Sequence, residues 1–182
     1  MNETLQEQTE KTYNLIVQAN NQILEIWKND VLYTWQWWLG IGLTIIPWLL
    51  WIKYRKKDST LRLLSAGFFV IIISSWLDCL GVVLGLWYYL YEVLPFIPSY
   101  FPWDFSLLPV IIMAFIQIKP TTHPLIKGII FSGISSFLAE PFFIWLGLYH
   151  SLNWEHIYSF PIYIVIYLIA DYISKRKTWN KV

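Results

Sequence analysis

Apolar and polar residues are segregated along this chain into long blocks. Five apolar blocks contain few charged residues: 34–52, 61–86, 104–118, 125–148 and 158–172. A bilayer core about 30 Å thick is crossed by roughly 17–25 apolar residues of helix. The third and fifth blocks hold about 15 residues each, so we expect them to extend at an end or the bilayer to thin around them. The pattern predicts an all-α membrane helix bundle of five transmembrane helices.

The chain before the first block has a different periodicity. Apolar residues such as Tyr13, Ile16 and Ile23 recur at helical spacing over residues 4–29, with Asn20 interrupting the stripe. This spacing predicts an amphipathic helix outside the bilayer core. Such a helix could lie on the membrane surface, pair with a second copy of the chain, or cap the bundle.

These patterns divide the chain into three parts. We expect an N-terminal extracytoplasmic amphipathic helix over 1–33, a five-helix transmembrane domain over 34–175 and a basic cytoplasmic tail over 176–182. Composition agrees, because 57% of the residues are hydrophobic and 14% are charged, whereas a soluble domain has about 25% charged residues.

The distribution of positive charge predicts an orientation. With five spans and an external N-terminus, 11 of the 13 Lys and Arg residues face the cytoplasm: Lys53, Arg55, Lys56, Lys57, Arg62, Lys119, Lys127, Lys175, Arg176, Lys177 and Lys181. Cytoplasmic loops of membrane proteins carry such an excess of Lys and Arg. The sequence therefore predicts a multi-pass cell-membrane protein with its N-terminus outside and its C-terminus inside.

Two carboxyl groups lie inside predicted spans, where a charge is costly and usually functional. Helix rise of about 1.5 Å per residue places Asp78 about 25 Å and Glu140 about 22 Å from the cytoplasmic side. Asp104 begins the third span from the outside, and Pro141 predicts a kink beside Glu140. We therefore expect one outward-facing polar cavity, although each acid could instead only join two helices.

Aromatic residues near these acids complete the predicted site. The candidate ligand-binding residues are Asp78, Asp104, Glu140, Trp76, Tyr88, Trp103, Trp145 and His156. Trp76 and Trp145 are predicted to face the bundle, because an indole N–H in lipid needs a partner.

The predicted cavity is compatible with a binding protein, an enzyme or a transporter. It favours binding of a lipid-like or cationic ligand, or of a partner membrane protein, and it is compatible with a homo-oligomer. The alternative is a membrane enzyme in which Asp78 or Glu140 is the general acid and the aromatic walls, Tyr89 among them, stabilise a cation on a hydrophobic, terpenoid-like substrate. Without inverted repeats, a transporter is the less favoured third class.

Several functions lack the residues that they require. No metal-ligand motif, phosphate-binding loop or nucleophile elbow is present, so neither a metal site nor a cofactor is predicted. The basic residues form no groove for nucleic acid. The single Cys79 forms no intrachain disulfide. No internal repeat is recognised, and the spacing of Gly81 and Gly85 predicts close helix packing.

Several short motifs give the chain a resemblance to a known protein family. They are Trp76-Leu-Asp78, Tyr88-Tyr-Leu-Tyr91, Pro95 and Pro98, Trp103-Asp104 with Pro109, Glu140-Pro141, and Tyr149 with Trp154. Over residues 34–175 the chain resembles an uncharacterised family of small five-span membrane proteins found mostly in spore-forming Gram-positive bacteria. The resemblance implies a bacterial plasma-membrane protein and no particular activity. A more distant likeness is to small helix-bundle terpenoid and carotenoid cyclases.

Overall fold

The computed structural model describes residues 4–176, and these are mostly helical. The α-helices are α1 (Leu5–Ile26), α2 (Trp35–Tyr54), α3 (Thr60–Val83), α4 (Leu108–Gln117), α5 (Pro124–Ile134), α6 (Glu140–Trp145) and α7 (His156–Lys175). Wider π-helical turns cover Trp27–Val31, Trp103–Leu107 and Ser135–Ala139, and a 3-10 turn covers Lys57–Ser59. Two short strands, β1 (Trp87–Tyr89) and β2 (Tyr149–Ser151), were not predicted.

The expectation of an all-α protein with transmembrane helices is confirmed at this level. Four continuous helical stretches are long and apolar enough to cross a bilayer: Trp35–Tyr54, Lys57–Val83, Pro124–Trp145 and His156–Lys175. The third predicted span corresponds to the shorter apolar helix Trp103–Gln117. The tail residues Lys177 and Lys181 lie outside the described part of the chain.

The helices have a common end at which their polar groups meet, here named the basic end. The side-chain amide of Gln117 accepts a hydrogen bond from the Lys56 N–H at 2.7 Å and donates one to the Tyr54 carbonyl at 3.1 Å. The buried Lys127 ammonium donates to the Ile116 carbonyl at 3.4 Å. These contacts join the end of α2, the start of α3, the end of α4 and the start of α5.

Strands β1 and β2 mark the opposite end, here named the ribbon end. They pair antiparallel as a two-stranded ribbon. Because α3 leads into β1 and α6 leads into β2, both helices finish at this end. The Trp103–Gln117 helix must therefore run from the ribbon end back to the basic end, through the bundle.

That returning helix supplies the centre of the core. Ile112 and Met113 of α4 are fully buried against α3 and α7. A Cβ at Gly67 would lie 2.8 Å from the Met113 sulfur, so the glycine lets α3 approach α4 closely. Between helices in a bilayer, such close van der Waals packing is what favours association, because lipid is as apolar as the side chains themselves.

Helices α3 and α6 end in the same way. Gly85 and Gly147 have positive φ values of 68° and 73°. After each glycine, the next N–H bonds to a carbonyl five residues earlier, Leu86 to Gly81 at 2.9 Å and Leu148 to Phe143 at 3.0 Å. This is the Schellman motif, in which glycine supplies the left-handed conformation at no steric cost.

The two helix–glycine–strand segments are similar to one another, a similarity that was not recognised in the sequence. In each, an acid lies seven residues before the glycine and Leu follows it. The equivalent pairs are Asp78 with Glu140, Gly81 with Phe143, Gly85 with Gly147, Leu86 with Leu148 and Trp87 with Tyr149.

The pairing of the strands has the symmetry expected of two similar segments. Tyr88 pairs with His150, and on either side Trp87 pairs with Ser151 and Tyr89 with Tyr149. The equivalent residues therefore exchange places about a two-fold axis at the centre of the ribbon. We name the two halves the Asp78 unit, residues 60–117, and the Glu140 unit, residues 124–175.

A π-helical turn explains why the similarity is hard to find in the sequence. Ser74-Ser75-Trp76-Leu77 is followed at once by Asp78, whereas Ser135-Ser136-Phe137-Leu138 is followed by Ala139 before Glu140. The extra residue falls within the π-helical turn Ser135–Ala139. A π-helical turn takes up an inserted residue while the helix on either side stays regular.

Helix α1 lies outside these two segments and buries none of its residues. Thr4 and Glu7 form a reciprocal capping box at its start, with the Thr4 N–H donating to the Glu7 carboxylate at 2.8 Å. At its end, the Trp27 indole donates to the Glu92 carbonyl at 2.9 Å. The predicted helix over 4–29 is confirmed, and its place relative to the membrane stays a prediction.

Candidate functional site

A cavity of about 240 Å³ lies beneath the ribbon, between α3, α6, α7 and the turn that begins at Trp103. Three acids line it: Asp78, Asp104 and Glu140. Eight aromatic side chains form much of the remaining wall: Trp87, Tyr89, Tyr100, Trp103, Phe143, Tyr149, Trp154 and Tyr163. The predicted convergence of three acids from three elements is therefore what the structure shows.

The Asp78 carboxylate is held by hydrogen bonds on both oxygens. Oδ1 accepts from the Trp87 indole N–H and from the Tyr89 hydroxyl, each at 2.6 Å. Oδ2 accepts from the Tyr100 backbone N–H at 2.6 Å. Hydrogen bonds to an ionised acceptor are short and strong, so these three fix Asp78 and fasten the ribbon to α3.

Local sequence explains why Trp87 and Tyr89 reach this acid. Alternate residues of a strand face opposite sides, so Trp87 and Tyr89 point into the cavity while Tyr88 points away. A Cβ at Gly81 would lie only 2.0 Å from the Trp87 ring, so the indole occupies the space left by that glycine. Gly81 therefore makes room for the Trp87 ring and Gly85 ends the helix. Neither glycine makes the helix–helix contact that was expected.

Asp104 lies beside Asp78, deep in the same wall. Its Oδ2 accepts a hydrogen bond from the Ser99 hydroxyl at 2.7 Å, and the two carboxyl groups interact directly. Only 2% of Asp104 is exposed. Among the described residues that line the cavity, Lys and Arg are absent.

Glu140 occupies the opposite wall, and its partners come from α7. Its Oε2 lies 2.8 Å from the His156 Nδ1, and the hydroxyls of Ser159 and Tyr163 are also within reach of this carboxyl. The two residues that follow Leu148, Tyr149 and His150, do not bind Glu140 as Trp87 binds Asp78. His156 stands behind Glu140 and does not itself line the cavity.

Three predicted site residues lie elsewhere, which corrects those predictions. Trp76 is 65% and Trp145 77% exposed, on the outer face of the bundle. A helix turns about 100° per residue, so Trp76 points about 200° away from Asp78, and Trp145 about 140° away from Glu140. Tyr88 is on the outer side of the ribbon, where its ring lies 4.9 Å from that of His150.

The sequence missed most of the aromatic wall. Tyr100, Tyr163, Trp87 and Trp154 were not among the predicted ligand-binding residues, although Trp103 was. Trp87 belongs to a strand of three residues, whose alternation is too short to be recognised in the sequence. Tyr100 comes from an irregular segment, for which sequence periodicity gives no direction.

Tyr89 and Tyr149 of the ribbon lie near the acids of the cavity. Burial, together with the nearby Asp78 charge, raises the pKa of Tyr89 well above its usual value. Burial and the Glu140 charge likewise raise the pKa of Tyr149. Both phenols therefore keep their protons at neutral pH. The hydroxyl of Tyr100, which is 1% exposed, has no hydrogen-bond partner within the described chain.

A second cavity, of about 180 Å³, lies between the end of α1 and the segment after β1. Ile23, Ile26 and Pro95 supply apolar walls, and Glu92 is its only charged lining residue in the described chain. Burial and the Asp78 charge raise the pKa of Glu92 to about 8. This cavity has a single acid and no aromatic box comparable to the first.

The side chains of the site do not form a metal centre. Within residues 4–176, no three His, Cys, Asp or Glu side chains gather closely enough to hold a metal ion.

Comparison of the chain with protein-family profiles, curated proteins and solved structures found no match. The resemblance to a family of spore-forming bacteria therefore stays a prediction.

Proposed function

We propose that this chain is an integral membrane protein whose outward-facing cavity binds an organic cation. The observation that carries the proposal is the lining of the cavity, in which three carboxyl groups and eight aromatic rings occur without Lys or Arg among the described residues. Aromatic faces attract ammonium groups and carboxylates supply the opposite charge. Enclosure by low-dielectric walls strengthens that attraction.

Five crossings with the N-terminus outside are part of this proposal. The Trp103–Gln117 helix connects the ribbon end to the basic end, as a crossing helix does, although it is shorter than the other four. At about 1.5 Å per residue it reaches roughly 22 Å, which fits a locally thinned bilayer. The basic end then faces the cytoplasm, as the excess of Lys and Arg favours, and the cavity opens outward.

A membrane enzyme is the second candidate, and the Glu140–His156 pair is the observation that favours it. A carboxyl 2.8 Å from an imidazole nitrogen and facing a cavity has the arrangement of an acid–base pair. Asp78, the other predicted general acid, already accepts three hydrogen bonds. In an enzyme, Glu140 would therefore be the acid that touches substrate.

The test is binding of tetramethylammonium to the protein in nanodiscs of uncharged lipid, with native mass spectrometry of any molecule that copurifies. We expect Glu140→Gln to weaken binding at least tenfold, because it removes one of the three carboxyl groups that line the cavity. Loss of one close charge pair is worth more than about 1.4 kcal/mol, which is a factor of ten. A copurifying molecule should disappear in the same variant.

The matched control is Glu155→Gln, which removes the same charge one residue before α7, at an exposed position. It should bind as the wild type does. Equal binding by wild type and Glu140→Gln, or binding by neither, would contradict the proposal. Turnover of a hydrophobic substrate that Glu140→Gln abolishes would instead support the enzyme.

A further inference from the structure

The cavity is the size of a head group. Its volume is about 240 Å³. Pockets for whole drug-sized ligands range over about 300–1,000 Å³. The space therefore suits a compact cationic group better than a whole long-chain molecule.

The cavity borders an exposed apolar surface. Two of its lining residues, Leu80 and Leu84, are 48% and 69% exposed on the outside of α3. Trp76 and Val83 extend the same exposed apolar surface. A group that leaves the cavity beside Leu80 and Leu84 thus meets hydrocarbon, since an apolar helix face in a membrane protein faces lipid.

The interior also offers a polar partner that the protein does not use. The Tyr100 hydroxyl is buried, lines the cavity and has no hydrogen-bond partner in the described chain. A buried hydroxyl without a partner costs free energy, so a polar group of the ligand or a water fits here. Together with Glu140, it gives the head group one charged and one neutral contact.

We infer that the ligand is a cationic amphiphile whose ammonium head occupies the cavity and whose hydrocarbon tail passes between Leu80 and Leu84 into the outer leaflet. This inference rests on the proposed function and specifies its ligand. It predicts that a tail adds apparent affinity, because the tail stays in hydrocarbon while the head binds.

The experiment compares tetramethylammonium with dodecyltrimethylammonium on the full chain in uncharged nanodiscs, counting ligand bound in excess of empty nanodiscs. We expect the chain-bearing cation to bind at least tenfold tighter in terms of its aqueous concentration. Leu84→Trp, which adds bulk where the tail is expected to pass, should lower the ratio of dodecyltrimethylammonium affinity to tetramethylammonium affinity to about one. Leu61→Trp, at an equally exposed leucine near the other end of α3, is the matched control and should leave both affinities unchanged.

The outcomes separate this inference from the proposed function. If tetramethylammonium binds in a Glu140-dependent way but the dodecyl compound binds no tighter, the tail is excluded and the inference is overturned. The inference is also overturned if Leu84→Trp and Leu61→Trp affect the dodecyl compound equally. If neither cation binds in excess of empty nanodiscs, the proposed function itself fails, and the inference with it.

Discussion

The Asp78 unit and the Glu140 unit share a frame but use their acids differently. In both, an acid precedes a glycine helix end by seven residues and a ribbon strand follows. Asp78 accepts three hydrogen bonds of 2.6 Å from the ribbon and the Tyr100 backbone. Glu140 is held by a histidine of the next helix. The comparison indicates that Asp78 fastens the ribbon to α3, whereas Glu140 is held from α7 and is the acid that we propose meets a ligand.

Side-chain differences at equivalent positions account for this divergence. Gly81 leaves space for the Trp87 indole to reach Asp78, whereas Phe143 fills the equivalent space in the Glu140 unit. Ser151, which is equivalent to Tyr89, is too short to reach Glu140 and donates to the Trp154 carbonyl instead. The cavity between the two similar units is therefore asymmetric. We name the wall around Asp78, which is fixed by hydrogen bonds to the ribbon, the rigid wall.

The largest effect should come from removing the acid of the rigid wall. Asp78→Asn leaves a side chain that accepts at one atom only, and it sets an amide N–H against the Tyr100 N–H. Hydrogen bonds to a charged group are worth about 1.5–3 kcal/mol each, so we expect a loss of about 3 kcal/mol. At about 2–4 °C per kcal/mol for this chain length, the melting temperature in nanodiscs should fall by about 10 °C.

Glu140→Gln is the comparison for that measurement, because it makes the equivalent change in the other unit. Its amide can keep a hydrogen bond to His156, so we expect its melting temperature to change by less than about 3 °C, or about 1 kcal/mol. Equal destabilisation by the two variants would refute the division of roles between the acids.

The next effect concerns the space that Trp87 uses. In Gly81→Ala the added methyl group would lie within about 2.0–2.5 Å of three indole atoms, so the ring must move away from Asp78. Overpacking of this kind costs about 1–3 kcal/mol, and we expect the melting temperature to fall by about 6 °C. The Trp87 fluorescence environment should change with it.

Gly42→Ala is the control for this variant, since its added Cβ would make only an ordinary contact at 3.6 Å with Ile46. It should melt within about 2 °C of the wild type, as surface substitutions usually change stability by less than about 0.5 kcal/mol. A Gly81→Ala protein as stable as Gly42→Ala would mean that the indole is not confined by α3.

Sequence periodicity predicts the helices of this molecule well and its cavity only in part. Asp78, Asp104 and Glu140 were predicted to converge because a buried acid in an apolar block needs a polar partner. Trp76 and Trp145 were placed in the wall for the same reason, but helix rotation turns both outward. Their indoles lie on the outer face, so the need for a partner did not decide their direction.

Other parts of the site depend on structure that periodicity does not encode. The strands are three residues long, too short for an alternating pattern to be recognised. The similarity was hidden because Ala139 shifts the alignment by one residue just before Glu140. Only the ribbon pairing of Tyr88 with His150 reveals the two-fold relation, since strand register is a tertiary property.

The smallest effect tests whether the two units are equivalent where they are expected to be. A Cβ at Gly85 or Gly147 would meet nothing within 4 Å, so only the positive φ opposes substitution. An L-residue in the left-handed conformation costs about 1–2 kcal/mol. Gly85→Ala and Gly147→Ala should therefore each lower the melting temperature by about 4 °C, and Asn should restore part of that loss because it tolerates this conformation.

Equal losses in the two variants would support the equivalence of the two helix ends, although the acids that precede them differ. A loss confined to Gly85→Ala would show that the Glu140 unit does not depend on its helix end, and the equivalence of the two units would then extend no further than their ribbon.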